Sequence, residues 1–128
     1  MRQYSSSDLI KFGGITVPLF DLQAVTESGD TYDSPVKVLP FATGLFFLRC
    51  TEMVGGGSQE LDVRIRTKDP AGDFWFTIIH FWSLFDVGGR IKFPFITPLL
   101  GEKISIVYDL TDITSVTFAV NSVLRIGR

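Results

Sequence analysis

Leu61-Asp62-Val63-Arg64-Ile65-Arg66 alternates apolar and charged side chains without a break. A period of two sends Leu61, Val63 and Ile65 to one face of a strand and Asp62, Arg64 and Arg66 to the other. The segment therefore predicts a β-strand with one buried face and one wet face. Turn formers bracket it: Gly55-Gly56-Gly57-Ser58 before, and Lys68-Asp69-Pro70-Ala71-Gly72-Asp73 after. The first reads as a flexible loop and the second as turn chemistry. Upstream, Leu45 to Met53 is a further strand-like run. Downstream, Phe74 to Phe81 reads as a strand apolar on both faces. A helix over Phe74 to Phe85 is the main competing reading, but that stretch holds no Ala, Glu or Lys and lies between Gly-rich turns.

The same punctuation continues outward. Ile15 to Val25 opens the domain, with Pro18 marking an edge strand or a bulge. Glu27-Ser28-Gly29-Asp30 is a turn, and Val36 and Val38 lie in a short strand that stops at Pro40. Asp86-Val87-Gly88-Gly89 turns the chain again, and Ile91, Phe93 and Phe95 alternate as another edge strand. Glu102 to Asp109 and Ser115 to Val123 read as the last two strands. Leu45-to-Ile65 and Lys103-to-Leu124 share one plan of strand, polar turn, strand, which suggests two hairpins in equivalent places. The result is an all-β fold: an antiparallel β-sandwich, jelly-roll-like, with eight or nine strands and turns every 8–12 residues or so. Residues 1–14 read as an N-terminal arm and 15–128 as the sandwich domain.

Composition agrees. The chain has 128 residues, the length of one domain. Val, Ile and Thr total 33 and the aromatics 17, against four Ala, which nearly excludes an all-helical protein. Twelve basic and 14 acidic residues leave a net charge of −2, without the basic excess of a nucleic-acid binder, so no nucleic-acid partner is expected. One Cys and one His exclude a disulfide framework and a zinc cluster within the chain, so no metal and no cofactor are expected. Ser5 to Asp8 interrupt any signal-peptide run. The most apolar stretch, Phe74 to Phe85, is too short for a membrane helix, which needs about 18 residues, so no membrane partner is expected.

Chemical constellations are sparse. His80 would have to serve any Ser-His-Asp site with Ser83 and Asp86, but no nucleophile elbow is present and a packed or interface histidine is the plainer reading. Glu27, Asp30 and Asp33 make an acidic loop without calcium-loop spacing. The glycine clusters match no phosphate-binding pattern. Cys50 reads as a buried free thiol. The chain is accordingly expected not to be an enzyme. The aromatic belt Phe74, Trp75, Phe76, Phe81, Trp82 and Phe85 is the most informative feature. Alternation sends Phe74 and Phe76 to one face and Trp75 to the other. A strand apolar on both faces is either central or covered by a partner, since a wet face would be a sticky patch. Trp75, Phe81, Trp82 and Phe85 are the expected subunit interface.

Phe46-Phe47-Leu48-Arg49-Cys50-Thr51-Glu52, then Glu60 to Thr67, then Phe74-Trp75-Phe76, resembles small β-sandwich structural proteins of tailed bacteriophages. So do Gly101 to Asp109 and Thr117 to Leu124. The resemblance covers about residues 15–126, and Leu61 to Ile65 is its best anchor. The chain departs from the family pattern at Gly55 to Gln59, which lacks the usual turn proline, and at Asp112 to Ser115, which lacks glycine and proline. The resemblance implies a virion structural protein, foremost a capsid decoration (cement) protein made in the host cytoplasm and bound to the capsid surface. Its implied partners are the major capsid protein and further copies of itself, as a trimer. Arg2, Tyr4, Leu9, Ile10 and Phe12 of the arm would contact the capsid. The alternatives are another virion part (head fibre base, tail or connector component, receptor-binding module) and a carbohydrate- or ligand-binding sandwich.

Overall fold

The computed structural model describes residues 14–38, 41, 43–69, 71–72, 74–85, 91–92, 95–97 and 102–125. The arm residues Arg2, Tyr4, Leu9, Ile10 and Phe12 lie outside the described residues. The strands are β1 (Ile15–Val25), β2 (Gly29–Asp30), β3 (Val36–Lys37), β4 (Thr43–Lys68), β5 (Trp75–His80), β6 (Ile91–Lys92), β7 (Phe95–Thr97) and β8 (Lys103–Arg125). Every pairing is antiparallel, and no helix occurs among the described residues. The ladders join these strands into one sheet of order β1-β8-β4-β5, with β2 and β3 also on β8 and β6 and β7 also on β4.

Two expectations are corrected here. Leu45-to-Ile65 and Lys103-to-Leu124 are not two hairpins. Each is one continuous strand, and the two lie side by side, paired from Thr43↔Arg125 to Thr67↔Ile104. Glu102 to Asp109 and Ser115 to Val123 are likewise parts of the single strand β8. The internal echo arises because two neighbours in one antiparallel ladder must carry matching patterns. Their polar middles meet, and their apolar ends meet. Gly55 to Ser58 does not end a strand. Gly56 to Gln59 bow out between the rungs Gly55↔Ile113 and Glu60↔Thr111, and the ladder then resumes.

A straight strand of 26 residues would span about 86 Å, while a chain of this size has a radius of gyration of about 14 Å. The ribbon must bend, and ring contacts show that it does. Tyr108 and Phe118 lie ten residues apart on β8, about 33 Å if straight, yet their ring centroids are 5.3 Å apart. Phe20 of β1 touches both, at 5.3 Å and 4.8 Å. The bend falls in the register shifts from Cys50 to Glu60, and Asp112 opposite has a positive φ of 51°.

The fold therefore brings two four-strand-wide halves of one sheet around one core. One half runs β1, the end of β8, the start of β4, then β6 and β7; the other runs β2 and β3, the start of β8, the end of β4, then β5. Phe46, Leu48, Cys50, Phe118, Val120 and Leu124 of the first meet Leu61, Val63, Ile65, Ile104 and Ile106 of the second in one cluster. The alternation expected from Leu61 to Arg66 holds residue by residue. The two buried serines are hydrogen-bonded: Ser122 Oγ donates to Val17 O at 2.8 Å, and Ser105 Oγ to Thr31 O at 3.0 Å. Pro18 lies on edge strand β1 just before a register shift, where a residue without an N–H is tolerated.

Candidate functional site

The β4–β5 connection is built on Asp69, whose backbone N–H donates to Phe74 O at 2.8 Å and whose carboxylate accepts from Ala71 N–H at 2.9 Å. The chain returns as β5, which pairs with β4 from Lys68↔Trp75 to Arg64↔His80. Among the described residues, no strand pairs the far side of β5. The register slips between Ile65↔Ile79 and Arg66↔Thr77, leaving Ile78 as an extra residue. That slip inverts the alternation beyond it.

The inversion decides the fate of the aromatic belt. Phe74 and Phe76, before the slip, are 70% and 55% exposed; Trp82 and Phe85, after it, are 72% and 63% exposed. Phe81 is 1% exposed and belongs to the core, so its assignment to a subunit interface is corrected. The backbone beyond β5 is held by Phe81 N–H to Val63 O at 3.1 Å and by a reciprocal bridge between Leu61 and Leu84. These bonds turn Phe81 and Leu84 inward and leave Trp82 and Phe85 outside. Trp75 takes neither role fully. It is half-buried, and its ring stacks on Tyr32 at 4.8 Å with Lys68 Nζ 6.0 Å from its centroid.

Beside this edge, the outer face of β4 carries a polar network that sequence spacing alone did not reveal. Asp62 and Asp109 face each other directly across the ladder. Like charges so placed repel, and the Arg64 guanidinium lies between them, 2.7 Å from Asp109 and 3.4 Å from Asp62. His80 Nε2 pairs with the other carboxylate oxygen of Asp62. Next along the strand, Arg66 donates to Tyr32 Oη and to Thr77 Oγ1, both at 3.1 Å. His80 is thus engaged by Asp62 within an ion-pair chain. Asp30 of the acidic loop accepts the Tyr32 N–H at 3.0 Å, and no group of three metal-ligating side chains occurs among the described residues.

Cys50 is buried in the core, and burial pushes its thiol above its ordinary value although its contact with the Glu52 carbonyl acts the other way. Burial, and secondarily the charge of Asp30, raises the Tyr108 phenol. A shallow groove of about 340 Å³ crosses the other half of the sheet, lined by Thr16, Phe47, Arg49, Asn121, Ser122 and Val123.

No protein-family model matches the chain, and no curated protein matches it. Among solved structures, the VP2 subviral particle of infectious bursal disease virus is similar at 18% identity with a TM-score of 0.36. The match covers 90% of this chain, which spans 28% of that protein's length.

Proposed function

We propose that the chain is a virion structural protein, foremost a decoration (cement) protein that binds the assembled head of a tailed phage and stabilises it. The observation that carries this reading is the aromatic edge. Four large side chains stand outside the core at or beside β5, and such a surface is normally buried by a partner. The sequence resemblance over residues 15–126 supplies the partner class. The bent sheet closed on one core serves as the rigid, sandwich-like unit such a role needs.

A protein that binds only the assembled shell stabilises it by mass action, and many copies make modest contacts sufficient. The major capsid protein is the proposed partner, the arm with Arg2, Tyr4, Leu9, Ile10 and Phe12 the tether, and the aromatic edge the self-association surface. The chain works on the capsid surface and catalyses nothing. Quantitative mass spectrometry of purified virions tests this. A copy number in simple ratio to the major capsid protein supports decoration, while a few copies move the chain to a tail, connector or fibre. Absence from the particle overturns the virion reading. Deleting residues 2–12 should weaken shell binding and leave the fold intact.

The stacked Tyr32–Trp75 pair beside Arg66 and Lys68 favours a second reading, a carbohydrate-binding module. A change of tryptophan fluorescence on titration with an acidic sugar would support it.

A further inference from the structure

We propose that the groove on the outer face of the first half of the sheet binds a small ring-bodied monocarboxylate through Arg49. The site is separate from the aromatic edge and independent of the virion reading, and it is tested on the purified protein.

Alternation places Arg49 on this face. Phe46, Leu48 and Cys50 are buried in the core, so Phe47 and Arg49 point the other way. Three arginines stand on β4, and two of them are engaged. Arg64 is tied to Asp62 and Asp109, and Arg66 donates to Tyr32 and Thr77. The half-buried Arg49 side chain has no ion pair among the described residues, and its Nε is buried without a hydrogen-bond partner. Ala119, opposite it on β8, offers no polar group. Glu52, three residues along β4, and Asp21, in the register shift of β1, form no ion pair with it. A guanidinium partly withdrawn from water and left without a counter-charge attracts an anion more strongly than one in bulk solvent. Nε alone of its three nitrogens is closed off unpaired, so the Nη edge is the part a ligand reaches.

The groove supplies the rest of a small-molecule site. Its volume of about 340 Å³ is at the small end of ligand pockets, which run from about 300 to 1,000 Å³. Phe47 pairs with Asn121, Leu45 with Val123, and Val123 in turn with Thr16. Arg49 therefore stands at one end of the groove and Val123 with Thr16 at the other, about 13 Å away along the strands. That length suits one ring with a charged group at one end. Phe47 and Val123 are apolar walls, and the Asn121 amide and the Thr16 hydroxyl are uncharged polar groups. Among the described residues, the lining holds no second cation. One guanidinium balances one negative charge, and its fork matches the two oxygens of a carboxylate. Phe47 suits the face of a ring, and Asn121 and Thr16 can exchange hydrogen bonds with hydroxyls. A carboxylate on a ring is the chemistry shared by sugar acids and aromatic acids.

The experiment is titration of the purified, isotope-labelled chain with glucuronate and, separately, with benzoate, followed by NMR and calorimetry. Saturable binding of at least one is expected, with shifts at the Arg49 Nε–H and the Asn121 side-chain amide. The Trp75 indole, on the other half of the sheet, should not shift. Binding of glucuronate assigns a sugar acid, and binding of benzoate alone assigns an aromatic acid. The uncharged counterparts, glucose and benzyl alcohol, should bind about ten-fold more weakly or worse. Arg49→Gln should weaken binding about ten-fold or more, and Arg49→Lys by less, because it keeps the charge and loses the fork. Both variants should melt like the parent. If Arg49→Gln does not fold, the map of shifts on the parent decides. No saturable binding of either acid, equal affinity for the charged and uncharged probes, shifts centred on Trp75, or parent-like binding by Arg49→Gln would each overturn the inference.

Discussion

Gly55→Ala is the sharpest test of the bend. A Cβ at Gly55 would run into the backbone carbonyl oxygen of Asp112 and stand 2.7 Å from Gln59 Cβ. Neither atom is the end of a flexible side chain, so the two strands must part. Asp112 is already in a left-handed conformation, and its carboxylate accepts the Ser58 N–H at 2.8 Å. Forcing one extra methyl into such a contact costs about 1–3 kcal/mol. Gly72→Ala is the control. There the nearest atom to a new Cβ is Phe74 Cδ2 at 3.4 Å, an ordinary contact, and φ is not positive. Both substitutions stiffen the unfolded chain alike, by about 0.4–1 kcal/mol in favour of folding, so that term cancels in the comparison. Gly55→Ala should therefore fall about 2 kcal/mol below Gly72→Ala in urea unfolding followed by tryptophan fluorescence. In a thermal scan that is a Tm difference of roughly 5–10 °C for a chain of this length. Equal stabilities would refute the reasoning. They would mean that Gly55 to Ser58 is an open loop and that Asp112 does not lie across it.

Three further predictions concern the core and its neighbours. Phe81→Ala should lower stability by about 3–5 kcal/mol, whereas Trp82→Ala should stay within about 0.5 kcal/mol of the parent; chemical denaturation of the pair checks which aromatic is core. Tyr108→Leu and Phe118→Leu should show a coupling of about 0.5–1.5 kcal/mol in a double-mutant cycle, since their rings meet edge to face across the fold, and a coupling of zero would separate the two halves. The Cys50 thiol, raised by burial, contributes stability that is whole below its ordinary value of 9.0 and is lost as pH rises through the raised value. The parent's Tm should therefore fall more steeply than that of Cys50→Ala between pH 9.0 and the raised value, and a thiol reagent should label Cys50 only on unfolding.

Local patterns carried much of this fold. Leu61 to Arg66 announced its buried and wet faces because a period of two is a purely local property. Pro18 marked an edge strand for the same kind of reason. What stayed hidden was set by partners far along the chain. Strand, polar stretch, strand looks the same whether the middle reverses direction or bends, and only the pairing of Gly55 with Ile113 distinguishes them. The aromatic belt was assigned its parity correctly up to Phe76. The single extra residue Ile78 then moved Phe81 into the core and Trp82 out of it. No feature of Phe-Thr-Ile-Ile-His-Phe-Trp marks that slip, because its apolar residues fit either face. The network of Asp62, Arg64, Asp109 and His80 was illegible for a related reason: its members come from three strands brought into register by the ladder.

The treatment of the sheet edges bears on what β5 is for. Exposed edges invite pairing with other chains, and proteins blunt them by shortness, proline and irregular register. Here β2, β3, β6 and β7 are two or three residues long. β1 is long, but it carries Pro18 and two register shifts. β5 is six residues long and contains neither a proline nor a lysine, with one bulge at Ile78 and exposed aromatics at both ends. The two long strands made this asymmetry affordable. Because β4 and β8 hold both halves of the core through one ladder, the short flanking strands can be kept too short to recruit a partner. Under the proposed role, an edge left long and aromatic in such a setting is the surface where association is permitted. Replacing Phe76 and Trp82 with Ser should then abolish association while leaving the melting temperature within a few degrees of the parent. A variant that still self-associates would show that the partner sits elsewhere.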